Sequence, residues 1–432
     1  MKKFYFIALA ALVAISSSCS KGGGSGELVG VRTKTFRTQV PYGMVYVPGG
    51  TFISGAVDQD ITYSQISQNR QVTVQAFYMD ATEISNSEYR QFVNWVRDSI
   101  AITDYLNDDQ YYIQAKGSKV NANGNKYINW KKAALIWGKK SRNANAAALE
   151  PMYYQGEDKL FDRNEVDVRL LKYNYAVINQ RRAANARGDV NARRADFIFR
   201  DTVGVYPDTL VWLADFAYAQ NEPLVEGYFS HPAFANYPVV GVTWRQAKAF
   251  TAWRTNLYQA TAISRGISRL PYELPSEAEF EYAARGGRIG NDYPWGGPYI
   301  RNAKGCLMAN FKPGRGNYVD DGGTFTVSVN SYFPNDFGLF NMAGNVAEWT
   351  SSAFNPSAST FVNDLNPSFT YNAKSGDPEA LKRKVIKGGS WKDIGYFLQN
   401  SSKSFEYQDT AKSYIGFRCV TAFPGRDIQD RR

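Results

Sequence analysis

Hydrophobic and polar positions alternate in two stretches near residues 50 and 75, and a helical spacing follows directly. Alternation across Met44–Phe52, broken by a Pro-Gly-Gly sequence, predicts a strand and a tight turn. Alternation across Gln71–Met79 predicts a second strand. Ser85 and Glu88 then form a capping-box pattern, and the apolar stripe after them predicts a helix over Asn86–Ser99.

Two later helices begin with the same kind of capping sequence. Thr243-x-x-Gln246 precedes one apolar stripe, and Ser276-x-x-Glu279 precedes another that ends at a Gly-Gly pair. These predicted helices are short, and the segments between them are rich in Gly, Asn and Asp. We therefore predict an α+β fold that is rich in loops.

A long segment between these elements, Ile100–Gly227, exceeds the length of an ordinary loop and predicts a subdomain or a surface excursion. Apolar spacing predicts helices within Asn129–Glu150 and Val168–Gly188. Short strands are predicted at Phe197–Phe199 and Thr209–Leu213. We therefore expect a large insertion that is mostly helical.

The net charge of the chain is concentrated in this insertion. Lys116–Arg200 holds 18 Lys and Arg against 8 Asp and Glu, a surplus equal to the formal net charge of +10 of the whole chain. Such a surplus is typical of a solvated face, or of a surface that docks an acidic protein or anionic lipid head groups.

The first residues have the pattern of an export signal. Lys2 and Lys3 precede a short apolar stretch, Phe4–Ile15, which is too short to span a bilayer as a helix. Cys19 follows directly after small residues, as in a bacterial lipoprotein signal. We expect cleavage after residue 18, lipid on Cys19 and a flexible tether over 19–41; an ordinary signal with an incidental cysteine is the alternative. An envelope protein meets little nucleic acid, so we expect no such partner.

One stretch of thirteen residues, Gly338–Thr350, combines turn formers, a carboxylate and large apolar groups. Asn341, Asn345 and Glu348 offer oxygen ligands, and Gly344 frees the backbone for a close approach. Oxygen ligands at this irregular spacing suit Ca²⁺. The alternative is a structural turn in which the same side chains satisfy backbone amides.

This stretch, GLFNMAGNVAEWT, resembles the signature loop of the sulfatase-modifying, formylglycine-generating enzyme family. Further blocks resemble that family in the same order: MVYVPGGTFISG, FYMDATEISNSEY, YPVVGVTWRQAKAFTAWR, YELPSEAEFEYAARGG, VIKGGSWKD and GFRCV. The resemblance implies a variant of the C-type lectin fold over 42–99 and 228–423. It leaves 100–227 as the insertion and 424–432 as a C-terminal tail.

The resemblance makes one absence in the sequence informative. Catalytic members of the family place two copper-binding cysteines between the GGSW and GFR blocks. Here that interval is Lys392–Ile415, which contains no Cys, and the hydroxyls of Ser401, Ser402 and Ser404 cannot replace a soft thiolate. The chain has a single histidine, His231, which excludes a His-rich iron or zinc site. We therefore expect no enzyme activity and no catalytic residues.

The same resemblance implies two structural calcium sites that use side-chain and backbone oxygens. The first would have as its ligands Asn341, Gly344, Val346 and Glu348. The second would have as its ligands Asn310, Phe311, Asp321 and Gly323. In catalytic members, the residues that correspond to Asn310 and Asp321 are farther apart in sequence than these two residues are here.

Two cysteines remain in the expected mature chain, Cys306 and Cys419. In an oxidising compartment they could form a disulfide. Two separate buried thiols are the alternative, and the sequence leaves this choice open.

Two segments, Tyr206–Phe216 and Tyr228–Val242, resemble one lipoprotein branch of the family, the gliding-motility and type IX secretion lipoproteins. This resemblance implies an outer-membrane lipid anchor that faces the periplasm, a homo-oligomeric ring and a periplasmic partner protein. The expected role is then that of a structural scaffold. A modifying oxidase and a lectin-like glycan-binding lipoprotein are the alternatives.

Overall fold

Short strands, paired mostly antiparallel, make up the regular structure at the centre of this computed structural model. The structure describes residues 39–55, 69–113, 127–134, 136–138, 145–161, 163–218, 222–263, 270–320 and 322–425. In chain order the strands are β1 (Met44–Val47), β2 (Gly50–Ser54), β3 (Arg70–Val74), β4 (Phe77–Asp80), β5 (Lys172–Ile178), β6 (Ile198–Gly204), β7 (Tyr272–Glu273), β8 (Ala347–Ala353), β9 (Arg383–Lys387), β10 (Ser404–Tyr407), β11 (Ile415–Gly416) and β12 (Val420–Ala422).

The strands pair into two four-stranded sheets and two hairpins. One sheet has the order β1-β4-β12-β7, so the last strand of the described chain lies between elements from its two halves. The other sheet has the order β10-β9-β8-β11, in which β11 runs parallel to β8. The hairpins are β2-β3 and β5-β6. Since distant segments share each sheet, the matched blocks of the sequence form one core.

The helices lie around these sheets, and most of them are short. In chain order they are α1 (Asn86–Ile100), α2 (Trp130–Ala133), α3 (145–149), α4 (Gln180–Asn185), α5 (Val211–Asp215), α6 (Pro223–Gly227), α7 (Trp244–Ile263), α8 (Glu277–Arg285) and α9 (Ala358–Phe361). Only α1, α7 and α8 exceed two turns among the described residues.

The capping sequences predicted these three helices correctly. Ser85 and Glu88 form a reciprocal capping box at the start of α1, and Ser276 and Glu279 do the same for α8. Gly286 ends α8 in the left-handed conformation at φ 61°. The predicted α+β, loop-rich fold is confirmed. The capping residues predict their helices because they satisfy backbone groups of the helix locally, wherever that helix packs.

Short helical elements outnumber strands in the described part of the insertion, but the helix predicted over Val168–Gly188 is wrong in its first half. The segment Val168–Gly188, predicted as a helix, contains strand β5, in which Tyr173 and Tyr175 are buried while their neighbours are exposed. Burial with a period of two is that of a strand, and β6 completes the hairpin over a longer span than predicted. Within Asn129–Glu150 only α2 and α3 are described as helical, and α5 occupies the strand predicted at Thr209–Leu213.

The β5-β6 hairpin packs into the main core. The Tyr173 ring lies edge-on to Phe92 of α1, with 5.3 Å between ring centroids. The hydroxyl of Tyr89, also on α1, donates to the carbonyl of Val205 just after β6 at 3.0 Å. Residues Thr38–Gly425 accordingly form one compact unit. A smaller apolar cluster holds the first part of the insertion: Ala101, Ile102, Tyr111, Tyr112, Ala133, Ile136, Leu149 and Met152.

The expected signal peptide, the lipidation site Cys19, most of the tether and most of the tail lie outside the described residues. Within the part of the chain that the structure describes, no helix is long and apolar enough to cross a membrane.

Two lysines, Lys384 buried and Lys248 half-buried, lie against one indole ring where β9 meets α7. The ammonium of Lys384 lies 4.1 Å from the ring centroid of Trp244, and that of Lys248 lies 4.6 Å from it. Lys384 donates to the carbonyl of Tyr371, and Lys248 donates to the side chain of Asn372 at 3.0 Å. Burial lowers the pKa of Lys384 to about 7 and that of Lys248 to about 8.

The buried amine of Lys384 predicts a pH-dependent stability difference. Between pH 7 and 9 unfolding must add a proton to this amine, so rising pH stabilises the folded protein relative to a variant without it. We expect the stability of Lys384→Met relative to wild type to fall by about 1–2 kcal/mol from pH 6.5 to 9. Urea denaturation at both pH values measures this difference. Lys374→Met, at an exposed lysine, is the control and should show no such change.

Candidate functional site

The stretch Gly338–Thr350 forms a tight loop that enters strand β8. Asn341, Gly344 and Asn345 all take positive φ values, of 49°, 82° and 65°. A side chain on Gly344 would meet the carbonyl oxygen of Asn310 at 2.6 Å, so only glycine fits there. Val346 and Trp349 are fully buried and fix the inner side of the loop. The predicted turn therefore exists, and its polar side chains face the interior.

Glu348 meets Arg418 at the centre of the molecule, and both side chains are fully buried. The guanidinium donates from Nη2 to Oε1 at 2.6 Å and from Nε to Oε2 at 2.7 Å, a bidentate pair. The same guanidinium donates to the carbonyl of Phe340 at 2.9 Å. Arg418, from the GFR block, therefore binds both ends of the loop.

A second buried carboxylate, Glu83, lies on the other side of the loop. The carboxamide nitrogens of Asn345 and Asn341 donate to its two oxygens at 2.9 and 3.1 Å. Burial raises the pKa of Glu83 to about 8, and the positive charge of Arg418 opposes that rise. Among the nearby groups Asp80 is matched by Arg254 at 2.7 Å. With this pKa the Glu83 carboxyl is mostly protonated at neutral pH, and the charge of Glu348 is matched by Arg418.

Sequence reasoning missed Glu83 as a site residue. Its signal was present, because it lies in the matched block FYMDATEISNSEY, directly before the capping box of α1.

The residues of the second expected calcium site are brought together in part. Asn310 is buried, and its Oδ1 has no hydrogen-bond partner in the described residues. The backbone of Gly323 is adjacent, since a side chain there would meet this oxygen at 2.8 Å. Phe311 is buried beside them, while Asp321 lies outside the described residues. An orphaned, buried acceptor oxygen is a group that a cation would satisfy.

Helix α5 packs against the two ends of the interval Lys392–Ile415. Trp212 is buried and stacks on Trp391 of the GGSW block, with 6.3 Å between ring centroids. Asp215, at the end of α5, accepts from the ammonium of Lys392 and from the hydroxyl of Ser413. Helix α5 therefore contacts the two ends of this interval, whereas Ser401 and Lys403 in its middle line an open pocket.

The other candidate groups of the sequence occupy structural positions. Ser402 is buried and donates to the carbonyl of Tyr396 at 2.8 Å. His231 caps a helical turn, because its Nδ1 accepts from the backbone of Ala233 at 3.1 Å. Cys306 is exposed and Cys419 is buried, and the structure keeps them as two free thiols, so they form no disulfide in it. Of the two alternatives, separate thiols are found, although only Cys419 is buried.

Removing the guanidinium of Arg418 should destabilise the protein severely. Arg418→Met leaves Glu348 buried without its partner, and we expect a loss of about 3–5 kcal/mol in the free energy of unfolding. Urea denaturation measures it, with Arg288→Met as the control. The ion pair of Arg288 with Asp336 is exposed on both sides and should contribute under about 1 kcal/mol. Equal losses in the two variants would contradict the central role of the Glu348 pair.

Comparison with known proteins gives the family. Residues 31–423 match the sulfatase-modifying factor enzyme 1-like domain. The formylglycine-generating enzyme of Mus musculus is 26% identical over 383 residues, which are 87% of this chain and 74% of that protein. The inactive C-alpha-formylglycine-generating enzyme 2 of Bos taurus is 31% identical over 191 residues, 43% of this chain and 50% of that one.

Solved structures were compared as well. PvdO from Pseudomonas aeruginosa aligns over 88% of this chain and 94% of its own, with a TM-score of 0.47 and 16% identity. CarF aligns over 89% of this chain and 100% of its own, with a TM-score of 0.38 and 18% identity. The relatives thus include enzymes and proteins described as inactive. From the match over residues 31–423, this chain belongs to the family of the sulfatase-modifying factor enzyme 1-like domain.

Proposed function

We propose that this chain is a non-catalytic member of its family and acts as a lipid-anchored structural scaffold. The observation that carries the proposal is the state of the interval Lys392–Ile415. Catalytic relatives are expected to bear their copper-binding thiols there, and this chain has no cysteine in it. Copper(I) chemistry needs soft thiolate ligands, which serine hydroxyls cannot replace.

The packing of helix α5 against this interval also agrees with a non-catalytic role. Trp212 stacks on Trp391, and Asp215 binds Lys392 and Ser413, so the insertion packs against both ends of the interval. A large aromatic group that is buried against a second one contributes several kcal/mol to stability. Packing and an ion pair therefore hold both ends of the interval in place.

The scaffold we propose resembles GldK, also called PorK, of the type IX secretion and gliding-motility machinery. Lipid on Cys19 would anchor it in the outer membrane, facing the periplasm, where it would form a ring with a GldN/PorN-like partner protein. The segments Tyr206–Phe216 and Tyr228–Val242 carry this resemblance. The two segments meet in the structure. Trp212 of α5, from the first segment, and Val240, from the second, belong to one buried apolar cluster. A GldJ-like lipoprotein is the neighbouring alternative.

Calcium is the cofactor that the buried oxygens fit. Both oxygens of Glu348 already accept from Arg418, so a cation at the first site would share this carboxylate with the guanidinium. Asn341, Gly344, Val346 and Glu348 would hold one ion. Asn310, Phe311, Asp321 and Gly323 would hold the other, next to the unpartnered Oδ1 of Asn310. Bound calcium would supply positive charge and crosslink the loops, a contribution to stability alone.

Calcium should therefore stabilise the fold. We expect 1 mM Ca²⁺ to raise the melting temperature by several degrees over the value in EDTA, because an ion that binds only the folded state adds RT ln(1 + [L]/Kd). In Glu348→Ala this response should become smaller, because only the second site would still bind an ion. Differential scanning fluorimetry measures it, with the exposed carboxylate variant Glu379→Ala as the matched control.

Because Glu348→Ala also breaks the ion pair with Arg418, Asn341→Ala and Asn310→Ala serve as milder variants. Each removes one proposed oxygen ligand and leaves Glu348 with its guanidinium. A calcium response that stays at the wild-type value in all three variants would rule out both sites.

The scaffold itself is tested in the native envelope. We expect the lipidated, tagged protein, solubilised in detergent, to co-purify with a stoichiometric second protein and to form rings in negative-stain images. A monodisperse monomer without a partner would overturn the scaffold.

A measurement of oxygen consumption distinguishes the proposed scaffold from the alternative of a modifying oxidase. With copper or iron and a cysteine-containing peptide, the purified protein should consume no oxygen above the metal-only background. Turnover at the rate of a formylglycine-generating enzyme assayed in parallel would overturn the non-catalytic assignment. A glycan array with the same preparation tests the lectin-like alternative.

A further inference from the structure

Two exposed segments of opposite charge lie at the two ends of the β5-β6 hairpin. We name residues 150–169, which precede β5, the acidic loop. We name residues 179–197, which connect β5 to β6, the arginine turn. The acidic loop contains six carboxylate side chains against three cationic ones. The arginine turn contains five arginines against two aspartates. By formal charge the two segments are therefore −3 and +3.

The acidic loop has a fixed base and an exposed tip. Tyr153 and Val166 form an antiparallel bridge, and the backbone of Tyr154 donates to the carbonyl of Glu165 at 3.0 Å. Residues 155–161 are all exposed. At the tip, Leu160 exposes 59% and Phe161 exposes 76% of its surface. Two large apolar side chains thus project into solvent from a loop whose base is ordered.

Phe161 has a backbone conformation that a bulky residue rarely adopts. Its φ is 52°, whereas the other non-glycine residues with positive φ in the described chain are all asparagines. This conformation costs on the order of 1 kcal/mol or more. The Phe161 ring is mostly exposed, so burial in the single chain offsets little of that cost. Such strain at an exposed apolar tip points to a contact with another molecule.

The arginine turn is exposed along most of its length. Helix α4 and the turn Arg194–Phe197 form its two sides. The side chains of Arg182, Arg187 and Arg194 are exposed, and Val190 at the tip exposes 99% of its surface. A cationic surface with an apolar residue at its centre complements the acidic loop in both charge and polarity.

The two segments are too far apart to meet within one chain. Asp158 of the acidic loop is bound to Arg169 at 2.7 Å, just before β5 begins at Lys172. The arginine turn starts after Ile178, at the opposite end of a seven-residue strand. Seven residues in a strand span about 20 Å. Each segment can therefore satisfy the other only between different molecules.

We propose that the acidic loop of one copy binds the arginine turn of the next, with Leu160 and Phe161 packed around Val190. This inference rests on the proposed ring-forming scaffold and names the contact between its subunits. The contact joins unlike surfaces, and a repeated head-to-tail contact closes into a ring when its rotation allows. Opposite charges also fix the orientation of neighbours, because like surfaces repel.

Two charge-reversed proteins test the contact. The loop variant carries Glu157→Lys with Glu165→Lys, and the turn variant carries Arg187→Glu with Arg194→Glu. Each is made in the full lipidated chain and studied in detergent by sedimentation and negative-stain imaging. Alone, each variant should self-associate at least about tenfold more weakly than wild type. An equimolar mixture should assemble again, because the reversed loop of one fits the reversed turn of the other.

The control is Lys304→Glu, a charge reversal at an exposed lysine outside the insertion, which should assemble like wild type. Wild-type assembly in both single variants would overturn the inference and leave the scaffold intact. So would an equimolar mixture that assembles no better than its components. Loss of the second protein with intact self-association would assign these surfaces to the partner instead and overturn the contact between copies. A wild type that never assembles would overturn both proposals.

Discussion

The buried ion pair between Glu348 and Arg418 is the constraint on which the rest of the structure depends. The guanidinium donates to the carboxylate twice and to the carbonyls of Phe340 and Asp80, at 2.9 and 3.3 Å. It thereby joins β8, the end of β4, the loop before β8 and the segment before β12. Desolvating two charges is costly, so this arrangement is stable only while every one of these segments is in place. The pair therefore makes the folding of the core cooperative.

A second ion pair, between Asp80 and Arg254, connects the same network to helix α7. Asp80 accepts two hydrogen bonds from Arg254 of α7 and a third from the backbone of Cys419. The thiol of Cys419 is buried beside these groups, and burial raises its pKa. A thiol with a raised pKa is protonated and a poor nucleophile, which agrees with a structural position. Charged groups in this core thus act as connectors between segments.

Features that depend on local sequence could be predicted, whereas those that depend on contacts between distant segments could not. The capping boxes at Ser85 and Ser276 specify helices through local hydrogen bonds, so their prediction required no tertiary information. Strand β5 was missed because its apolar residues also fit a helical spacing, and only packing against α1 decides between the two. Glu83 was missed since its partners Asn341 and Asn345 lie more than 250 residues away.

The insertion is positioned by the core and in turn packs against the GGSW block. Tyr89 and Phe92 of α1 hold the hairpin through a hydrogen bond and an edge-on ring contact. From that fixed base the chain continues into α5, which brings Trp212 and Asp215 over the GGSW block. The fold is held by Glu348, Arg418 and Asp80, none of which belongs to the interval where catalytic relatives are expected to carry thiols. The absence of cysteines from that interval therefore leaves the network intact, and α5 adds packing at its two ends. An interval without cysteines and an intact core network are thus compatible in one chain, as the proposed scaffold requires.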